Sequence, residues 1–258
     1  MQLRCQLALT QECGGPKAVP VPPLIIAHRG ASGTCPENTL VAFARAAALG
    51  AHMVELDAQL TRDGEVVVMH DWTLERTTDG AGRVCERPLG EIRRLDAGAW
   101  FGPAFRGTRV PTLAEVLAAV GLPVNVELKP VGDDGLEARA LAVVESAGAL
   151  ARVVFSSFDA GALERLRARA ADASLAVLWD SGPVADAVAR AERVAARALH
   201  LRKDYVTPGA LAAAAAARLP VRAWTVNERG EIDRLVAAGV EGIFTDFPER
   251  FLQSPGGQ

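Results

Sequence analysis

The sequence predicts an α/β fold, a closed (β/α)8 TIM barrel with a small insertion after the second strand region. Short apolar runs alternate along the chain with longer amphipathic, alanine-rich segments, and this order of strand and helix predicts a parallel sheet. Eight such runs occur in a chain of 258 residues, which is about the length of one barrel of this class. An open, doubly wound parallel sheet is the alternative that the pattern alone leaves open.

The predicted strands are short and rich in branched aliphatic residues. They cover residues 24–28, 52–57, 124–128, 152–156, 175–179, 198–201, 221–225 and 242–245. In most of the segments between them, apolar residues recur every three or four positions, which is typical of helices that pack one face on a sheet. We therefore expect a tail over residues 1–23 and one barrel domain over residues 24–252.

One stretch interrupts the alternation of strand and helix. Residues 65–69 have the pattern of an extra strand, but turn-rich sequence follows until a helix begins near Thr112. A connection of this length is rarely a bare loop in a compact domain. We expect an insertion over about 71–111 at one end of the barrel, either as a decoration or as a wall of the substrate pocket.

Composition and charge narrow the classes of partner. The formal net charge is −3 with both signs spread along the chain, so we expect no nucleic-acid partner. No apolar run approaches the roughly 20 residues of a membrane span, and the N-terminus lacks the pattern of a secretory signal. The spacing of the four cysteines suggests neither disulfides nor a zinc site. These features predict a cytoplasmic protein without a nucleic-acid partner or a membrane span.

Acidic residues lie where barrel strands should end. Glu55 and Asp57 are two residues apart in the second strand, and Glu127 lies in the strand after the insertion; we call these three residues the acidic trio. Side chains two apart share one face of a strand, and barrel active sites lie at the carboxyl ends of strands. Three converging carboxylates repel one another unless a cation lies among them. Oxygen ligands without thiolates favour one hard divalent cation, Mg²⁺ or Ca²⁺.

Histidines and basic residues follow the same strand ends. His28 ends the first strand and His70 ends the extra strand, and a histidine pKa of about 6.5 suits proton transfer near neutral pH. Arg29 and Lys129 supply fixed positive charge for a phosphate group. His52, in contrast, precedes its strand, so we expect it at the far end of the barrel in a structural role.

An ordered set of motifs gives the chain a resemblance to a known family. Residues 24–251 contain, in order, HRG, PENT, ELD, DG, HD, NVELKP, FSSFD, AWTVN and GIFTDFPE. HRG alone would mean little, but the ordered set closely resembles the glycerophosphodiester phosphodiesterases. The resemblance implies a (β/α)8 barrel with an inserted segment. It also implies metal-dependent hydrolysis of glycerophosphodiesters, such as glycerophosphocholine or glycerophosphoethanolamine, to an alcohol and sn-glycerol 3-phosphate.

The resemblance implies roles for individual residues as well. The acidic trio would hold the divalent ion, and the two strand-end histidines would be the catalytic acid and base. Arg29 and Lys129 would contact the phosphate, and Glu37, in PENT, would line the same site. Trp224 and Asn227 would shape the glycerol side, although Trp224 could equally be a core aromatic residue.

Four further residues give weaker signals. Ser156 and Asp246 lie at strand ends, but each could simply cap the helix that follows. Cys35 lies in the loop that carries candidate site residues, and without a paired base we expect it to fill space and not to act as a nucleophile. His200 lies in mid-strand, and its role is open.

Two other functions remain as alternatives at this point. A lipid-directed lyase or lysophospholipase on a related barrel would need an apolar path for an acyl chain, for which the insertion offers only Trp72, Trp100, Phe101 and Phe105. A non-enzymatic sensor of phosphorylated polyols would lack some site residues, yet all are present. The sequence leaves open which headgroup is preferred, whether the ion is Mg²⁺ or Ca²⁺, and whether the protein is a monomer or a homodimer. It also leaves open which histidine is the base, and whether a glycerol hydroxyl or water attacks.

Overall fold

A closed parallel barrel forms the centre of the fold. The computed structural model describes residues 22–252. Within that range, strands β1 to β9 are Leu24–Ala27, Met53–Leu60, Val66–Val68, Val124–Leu128, Val153–Ser157, Ser174–Trp179, Ala198–Arg202, Val221–Trp224 and Gly242–Thr245. The first strand pairs in parallel with both β2 and β9, which closes the sheet into a ring. The closed barrel confirms the predicted fold class and excludes the open sheet.

Helices cover the outside of this ring. In chain order, α1 to α9 are Leu40–Ala48, Leu89–Ile92, Leu113–Ala119, Leu136–Ser146, Ala160–Arg169, Val184–Arg193, Pro208–Ala216, Arg229–Ala237 and Glu249–Leu252. Several begin at a side chain that accepts a hydrogen bond from a first-turn N–H group, as Thr39, Thr112 and Asp159 do. No helix within residues 22–252 is both long enough and apolar enough to cross a lipid bilayer.

The extra strand lies beside the barrel and not in it. β3 pairs antiparallel with the end of β2, with Val68 opposite Ala58. This pairing is possible because β2 runs to Leu60, three residues beyond its predicted end at Asp57. The insertion that follows packs around a small apolar core of its own, made of Val67, Met69, Leu74, Val84, Ile92, Ala97 and Val110.

Alternation along the strands separates two apolar layers. Side chains such as Leu56 and Val126 face outward into the core between strands and helices. Ile26, Met53 and Phe244 face inward and pack together inside the barrel. On β2 and β4, the inward positions nearer the carboxyl ends carry acidic residues instead, so this side of the barrel mouth is polar.

The structure also tests the predictions for His52 and for two of the cysteines. His52 accepts a hydrogen bond at 2.9 Å from the backbone N–H group of Ile25, at the start of β1, which confirms its structural role at the far end. Cys35 and Cys85 are free thiols, and burial raises the pKa of Cys35. The predicted tail, apart from its last two residues, lies outside the described part of the chain.

Candidate active site

The acidic trio lies inside the mouth of the barrel. Asp57 of β2 is paired in register with Glu127 of β4. Glu55 lies two residues before Asp57, on the same face of β2. One oxygen from each of the three carboxylates lies within 4.8 Å of the other two. Glu55 and Asp57 are only 2% and 1% exposed, and Oε1 of Glu55 and Oδ1 of Asp57 have no hydrogen-bond partner. These unpaired buried oxygens fit a hard divalent cation.

The pKa values of the trio reflect electrostatic repulsion among its three carboxylates. Burial, Asp57 and Glu127 raise the pKa of Glu55 well above its ordinary value, and burial and Asp57 raise the pKa of Glu127 to about 7. Burial also opposes ionisation of Asp57, but Arg29 and Lys129 outweigh it and lower the pKa of Asp57. The trio therefore carries excess negative potential, which a bound cation would relieve.

The loop after β1 bends sharply and brings Arg29 beside the trio. Arg29 has φ 57° and Gly30 has φ 82°, and a Cβ atom at Gly30 would lie 2.6 Å from the carbonyl carbon of Ala42. Only glycine fits this step. The bend directs the backbone N–H group of Arg29 to Oε2 of Glu55 at 2.8 Å, and its Nε lies 3.4 Å from Oδ2 of Asp57.

Lys129 also lies beside the trio. Its Nζ lies 3.4 Å from Oε1 of Glu127 and 3.6 Å from Oδ1 of Asp57. It also lies 5.7 Å from the centre of the Trp72 ring, within the range of a cation–π contact. Lys129 and Arg29 thus place two cations beside the carboxylates.

His28 is oriented by a carboxylate from the other end of the chain. Its Nδ1 lies 2.7 Å from Oδ1 of Asp246, which directly follows β9, the neighbour of β1. Asp246 also accepts hydrogen bonds from Oγ of Ser32 and Nδ2 of Asn227. Burial opposes its ionisation, but these hydrogen bonds, with that to His28 the largest, lower the pKa of Asp246 to about 2. With Nδ1 engaged, Nε2 is the ring nitrogen left for a substrate.

Asp246 is therefore an orienting partner of His28, a role that the sequence did not separate from a helix cap. Asn227, expected on the glycerol side, lies behind it. Its Nδ2 donates to Asp246, and its Oδ1 accepts from the N–H group of Asp246 and the hydroxyl of Thr245. Both ends of the amide thus hold Asp246 in place, and the expected contact of Asn227 with glycerol stays a prediction.

His70 is oriented in the same manner by its neighbour. Its Nδ1 lies 2.7 Å from Oδ1 of Asp71. Arg76 donates to both oxygens of Asp71 at 2.5 and 2.9 Å, and hydrogen bonds from Arg76 and His70 lower the pKa of this carboxyl. Burial lowers the pKa of His70, which favours the neutral imidazole near pH 7.

Glu37 connects Arg29, beside the trio, with Arg76, beside Asp71. Its Oε1 accepts from Nη1 of Arg29 at 2.9 Å, and both of its oxygens accept from Arg76 at 2.8 Å. These hydrogen bonds lower the pKa of Glu37 although burial opposes its ionisation. Glu37 does not line the main cavity, so its predicted contact with substrate stays a prediction.

One cavity of about 210 Å³ brings these groups together. Both histidines, Arg29, Lys129 and two members of the trio line it, and four further lining residues, here called the apolar wall, are Phe158, Leu178, Trp224 and Phe244. The ring of Trp224 meets that of Phe158 edge-on at 5.7 Å. A cavity with one ionic and one apolar wall suits a small anion that has an aliphatic part.

A larger and more open hollow, of about 380 Å³, lies on the outer surface between α3 and α4. Glu65 and Arg139 are the charged residues that line it, and no histidine does. We assign the site to the smaller cavity because it holds the convergent titratable groups.

Three inward-facing residues complete the barrel interior. Asn125, for which no role was predicted, lines the cavity and donates to the buried hydroxyl of Ser156 at 2.9 Å. Its position two residues before Glu127, on the same face of β4, could have indicated that it lines the site. His200 is fully buried, neither ring nitrogen has a partner, and burial lowers its pKa well below the ordinary value. It is a neutral interior residue.

The fold and the site together define a class of protein, a (β/α)8 barrel enzyme with an oxygen-ligand cluster, two cations and two oriented histidines at the strand ends. The comparisons with known proteins specify the family. Residues 28–250 match the model of the glycerophosphoryl diester phosphodiesterase family. The chain therefore belongs to this family, whose members hydrolyse phosphoric diesters.

Individual members of the family are similar in sequence to nearly the whole of this chain. A glycerophosphodiester phosphodiesterase of Caldanaerobacter subterraneus subsp. tengcongensis is 39% identical over 234 residues, which are 89% of this chain and 96% of the relative. A glycerophosphodiester phosphodiesterase of Bacillus subtilis is 32% identical, with 88% of this chain and 85% of the relative covered.

A solved structure shows the same architecture. The phosphodiesterase of Oleispira antarctica in complex with the product sn-glycerol-3-phosphate superposes with a TM-score of 0.81 at 33% identity, and the match covers 89% of this chain and 95% of that one. The predicted family and the predicted enzyme class, a glycerophosphodiester phosphodiesterase, are thus confirmed.

Proposed function

We propose that this enzyme hydrolyses small glycerophosphodiesters, such as glycerophosphocholine and glycerophosphoethanolamine, to an alcohol and sn-glycerol 3-phosphate, with one divalent cation and two catalytic histidines. The observation that carries the proposal is the convergence of the acidic trio, Arg29, Lys129 and both histidines on one cavity. Residues 24–252 would form the catalytic domain, with the insertion over about 71–111.

The acidic trio is the proposed cation site. Its unpaired oxygens and the raised pKa values of Glu55 and Glu127 support a cation, and its all-oxygen chemistry supports Mg²⁺ or Ca²⁺. When bound, such an ion supplies Lewis acidity and positive charge for a phosphate. Arg29 and Lys129 would bind the remaining phosphate oxygens and hold the phosphorus in line with the attacking group.

The two histidines are the proposed proton-transfer pair. Each has Nδ1 held at 2.7 Å by a carboxylate, so each presents Nε2 to the cavity in a fixed orientation. One Nε2 would accept the proton of the attacking hydroxyl or water, and the other would donate a proton to the departing alkoxide. The lowered pKa of His70 supports it as the base, because a base must be neutral before it acts.

The apolar wall supports a glycerol-sized substrate and gives little support to a lipid. Trp224, Phe158 and their neighbours offer a surface for the carbon skeleton of glycerol. Trp100, Phe101 and Phe105, by contrast, pack edge-on against one another within the insertion and do not line the cavity. These three aromatic residues therefore provide no path into the cavity for an acyl chain, and the fourth aromatic residue of the insertion, Trp72, contacts Lys129 at the cavity.

The proposal is tested by the release of glycerol 3-phosphate from glycerophosphocholine and glycerophosphoethanolamine, with Mg²⁺, Ca²⁺ or a chelator present. We expect turnover that requires the metal and falls by about 100-fold or more in His28→Ala and in His70→Ala. His52→Asn is the matched control, because His52 lies at the far end of the barrel, and it should keep full activity. Undiminished activity of either catalytic variant, or turnover in the chelator, would contradict the proposal.

Two further expectations accompany this activity. Long-chain lysophospholipids should be poor substrates, and efficient turnover of them would favour the lipid-directed alternative. The cytoplasmic location and the monomer or homodimer predicted from the sequence stay predictions, which cell fractionation and light scattering would check.

A further inference from the structure

We propose that Arg76, which lies in the insertion and outside the cavity, is a positioning residue that fixes the catalytic His70 relative to the phosphate-binding Arg29. This inference rests on the proposed function of that site. Its basis is a continuous chain of hydrogen bonds that runs from Arg29 through Glu37, Arg76 and Asp71 to His70.

The guanidinium group of Arg76 is the centre of this chain. It makes four hydrogen bonds to two carboxylates, from Nε and Nη2 to Asp71 at 2.5 and 2.9 Å and from Nη1 and Nη2 to Glu37 at 2.8 Å each. Two carboxylates of like charge are thereby held close together by one planar cation. A bidentate fork of this kind restrains orientation as well as distance.

Each carboxylate passes the restraint on to one group of the cavity. Oδ1 of Asp71, which Arg76 holds, also engages Nδ1 of His70 at 2.7 Å. Oε1 of Glu37 also accepts from Nη1 of Arg29 at 2.9 Å. Arg76 itself is not among the residues that line the cavity, so it acts through its two partners.

The chain also joins two separate segments of the protein. His28, Arg29 and Glu37 belong to the loop between β1 and α1, whereas His70, Asp71 and Arg76 belong to the segment that follows β3 and leads into the insertion. The two histidines are thus carried by different segments, and Arg76 connects those segments on the solvent side.

The two ends of the chain depend on Arg76 to different extents. Arg29 has further anchors in the trio, through its backbone N–H group and its Nε atom. Asp71 is about 28% exposed, and without Arg76 it is free to turn toward solvent and release the His70 ring. We therefore expect Arg76 to affect the chemical step more than substrate binding.

The first test is the kinetics of Arg76→Ala with glycerophosphocholine and saturating metal. The kcat should fall about 10- to 100-fold, as expected when a catalytic group is misplaced by about an ångström, while KM changes less than about threefold. Arg76→Lys should restore only part of kcat, because an ammonium group cannot form the planar fork. In Asp71→Asn, adding Arg76→Ala should cause little further loss, since both changes release the same ring.

Chemical rescue separates positioning from folding. The Arg76 side chain is 43% exposed, so free guanidinium ion at non-denaturing concentration can reach the vacated site. It should raise kcat of Arg76→Ala several-fold relative to the same concentration of NaCl, and it should leave His70→Ala inactive. In the metal-free protein, the NMR signals of the His70 ring should shift in Arg76→Ala.

The matched control is Arg93→Ala. Arg93 is also 43% exposed and also pairs with a carboxylate, Glu115, at 2.5 Å, between the end of α2 in the insertion and α3. It should leave kcat and the His70 signals unchanged. The inference is overturned if Arg76→Ala keeps kcat within twofold of wild type, or if Arg76→Ala and Arg93→Ala lose activity equally. Should Arg76→Ala not fold, a kcat of Arg76→Lys equal to wild type overturns it.

These outcomes are distinct from a failure of the proposed function. An inactive wild-type protein, or a fully active His70→Ala variant, would refute the proposed reaction. An active wild type with an inactive His70→Ala and a normal Arg76→Ala would refute only the role of Arg76.

Discussion

Replacing Glu127 with glutamine should stabilise the metal-free protein, although it removes a charge that lies near Lys129. Burial and the neighbouring Asp57 raise the pKa of Glu127 from 4.5 to about 7. A folded-state pKa above the unfolded value means that the ionised carboxylate opposes folding. The penalty begins near pH 4.5, grows as pH rises and is complete above pH 7. Because a tenfold change in proton affinity is worth about 1.4 kcal/mol, the full penalty is about 3 kcal/mol.

The assay is urea unfolding in a chelator at pH 5 and pH 8, for wild type, Glu127→Gln and the control Glu145→Gln, which alters an exposed residue of α4. Glu127→Gln should raise the free energy of unfolding by about 3 kcal/mol at pH 8 and by less than about 1 kcal/mol at pH 5. Added Mg²⁺ should stabilise wild type and have little effect on the variant. Equal gains at both pH values, or a loss of stability at pH 8, would refute the argument that the trio is self-repulsive.

Three further predictions follow from single contacts. Asp246→Ala should lower kcat by about 100-fold and leave metal affinity unchanged, because it frees the ring of His28; calorimetric titration of the metal checks the second part. Gly30→Ala should cost more than about 2 kcal/mol in urea unfolding, because of its positive φ and its approach to Ala42. Arg152→Ala should cost about 2 kcal/mol with kcat unchanged, since its guanidinium donates to three backbone carbonyls at the end of α3.

Alternation explains why much of the site could be predicted from the sequence. In a strand with a period of two, Glu55 and Asp57 must share a face, and so must Glu127 and Lys129. Those positions could face the barrel interior or the helices, and carboxylates do not belong among packed helices. The structure places Asp57 opposite Glu127 and Glu55 opposite Asn125, so the two pairs overlap by one position.

The partners of the histidines were harder to predict, for different physical reasons. Asp246 is 218 residues from His28, and an aspartate after a strand is also a common helix cap. Closure of the barrel between β9 and β1 brings the two residues together. The predicted closed barrel therefore already indicated that the ends of these two strands are neighbours. Arg76 lies in a segment without periodicity, where the direction of a side chain cannot be derived from its sequence position.

The boundaries of β2 show how pairing overrides local pattern. The strand predicted from the sequence ends at Asp57. The strand continues to Leu60 because β3 folds back and pairs with Ala58, Gln59 and Leu60. Hydrogen bonds to the next strand along the chain thus extend β2 beyond its predicted end.

The central claim, that the acidic trio holds the single catalytic cation, is tested most directly by a crystal structure with Mn²⁺ and sn-glycerol 3-phosphate. Anomalous scattering would locate the metal independently of any interpretation of its ligands. The account predicts one strong peak bound by carboxylate oxygens of Glu55, Asp57 and Glu127, with the phosphate beside it and between His28 and His70. A metal held by other residues, or a phosphate bound away from both histidines, would contradict the account.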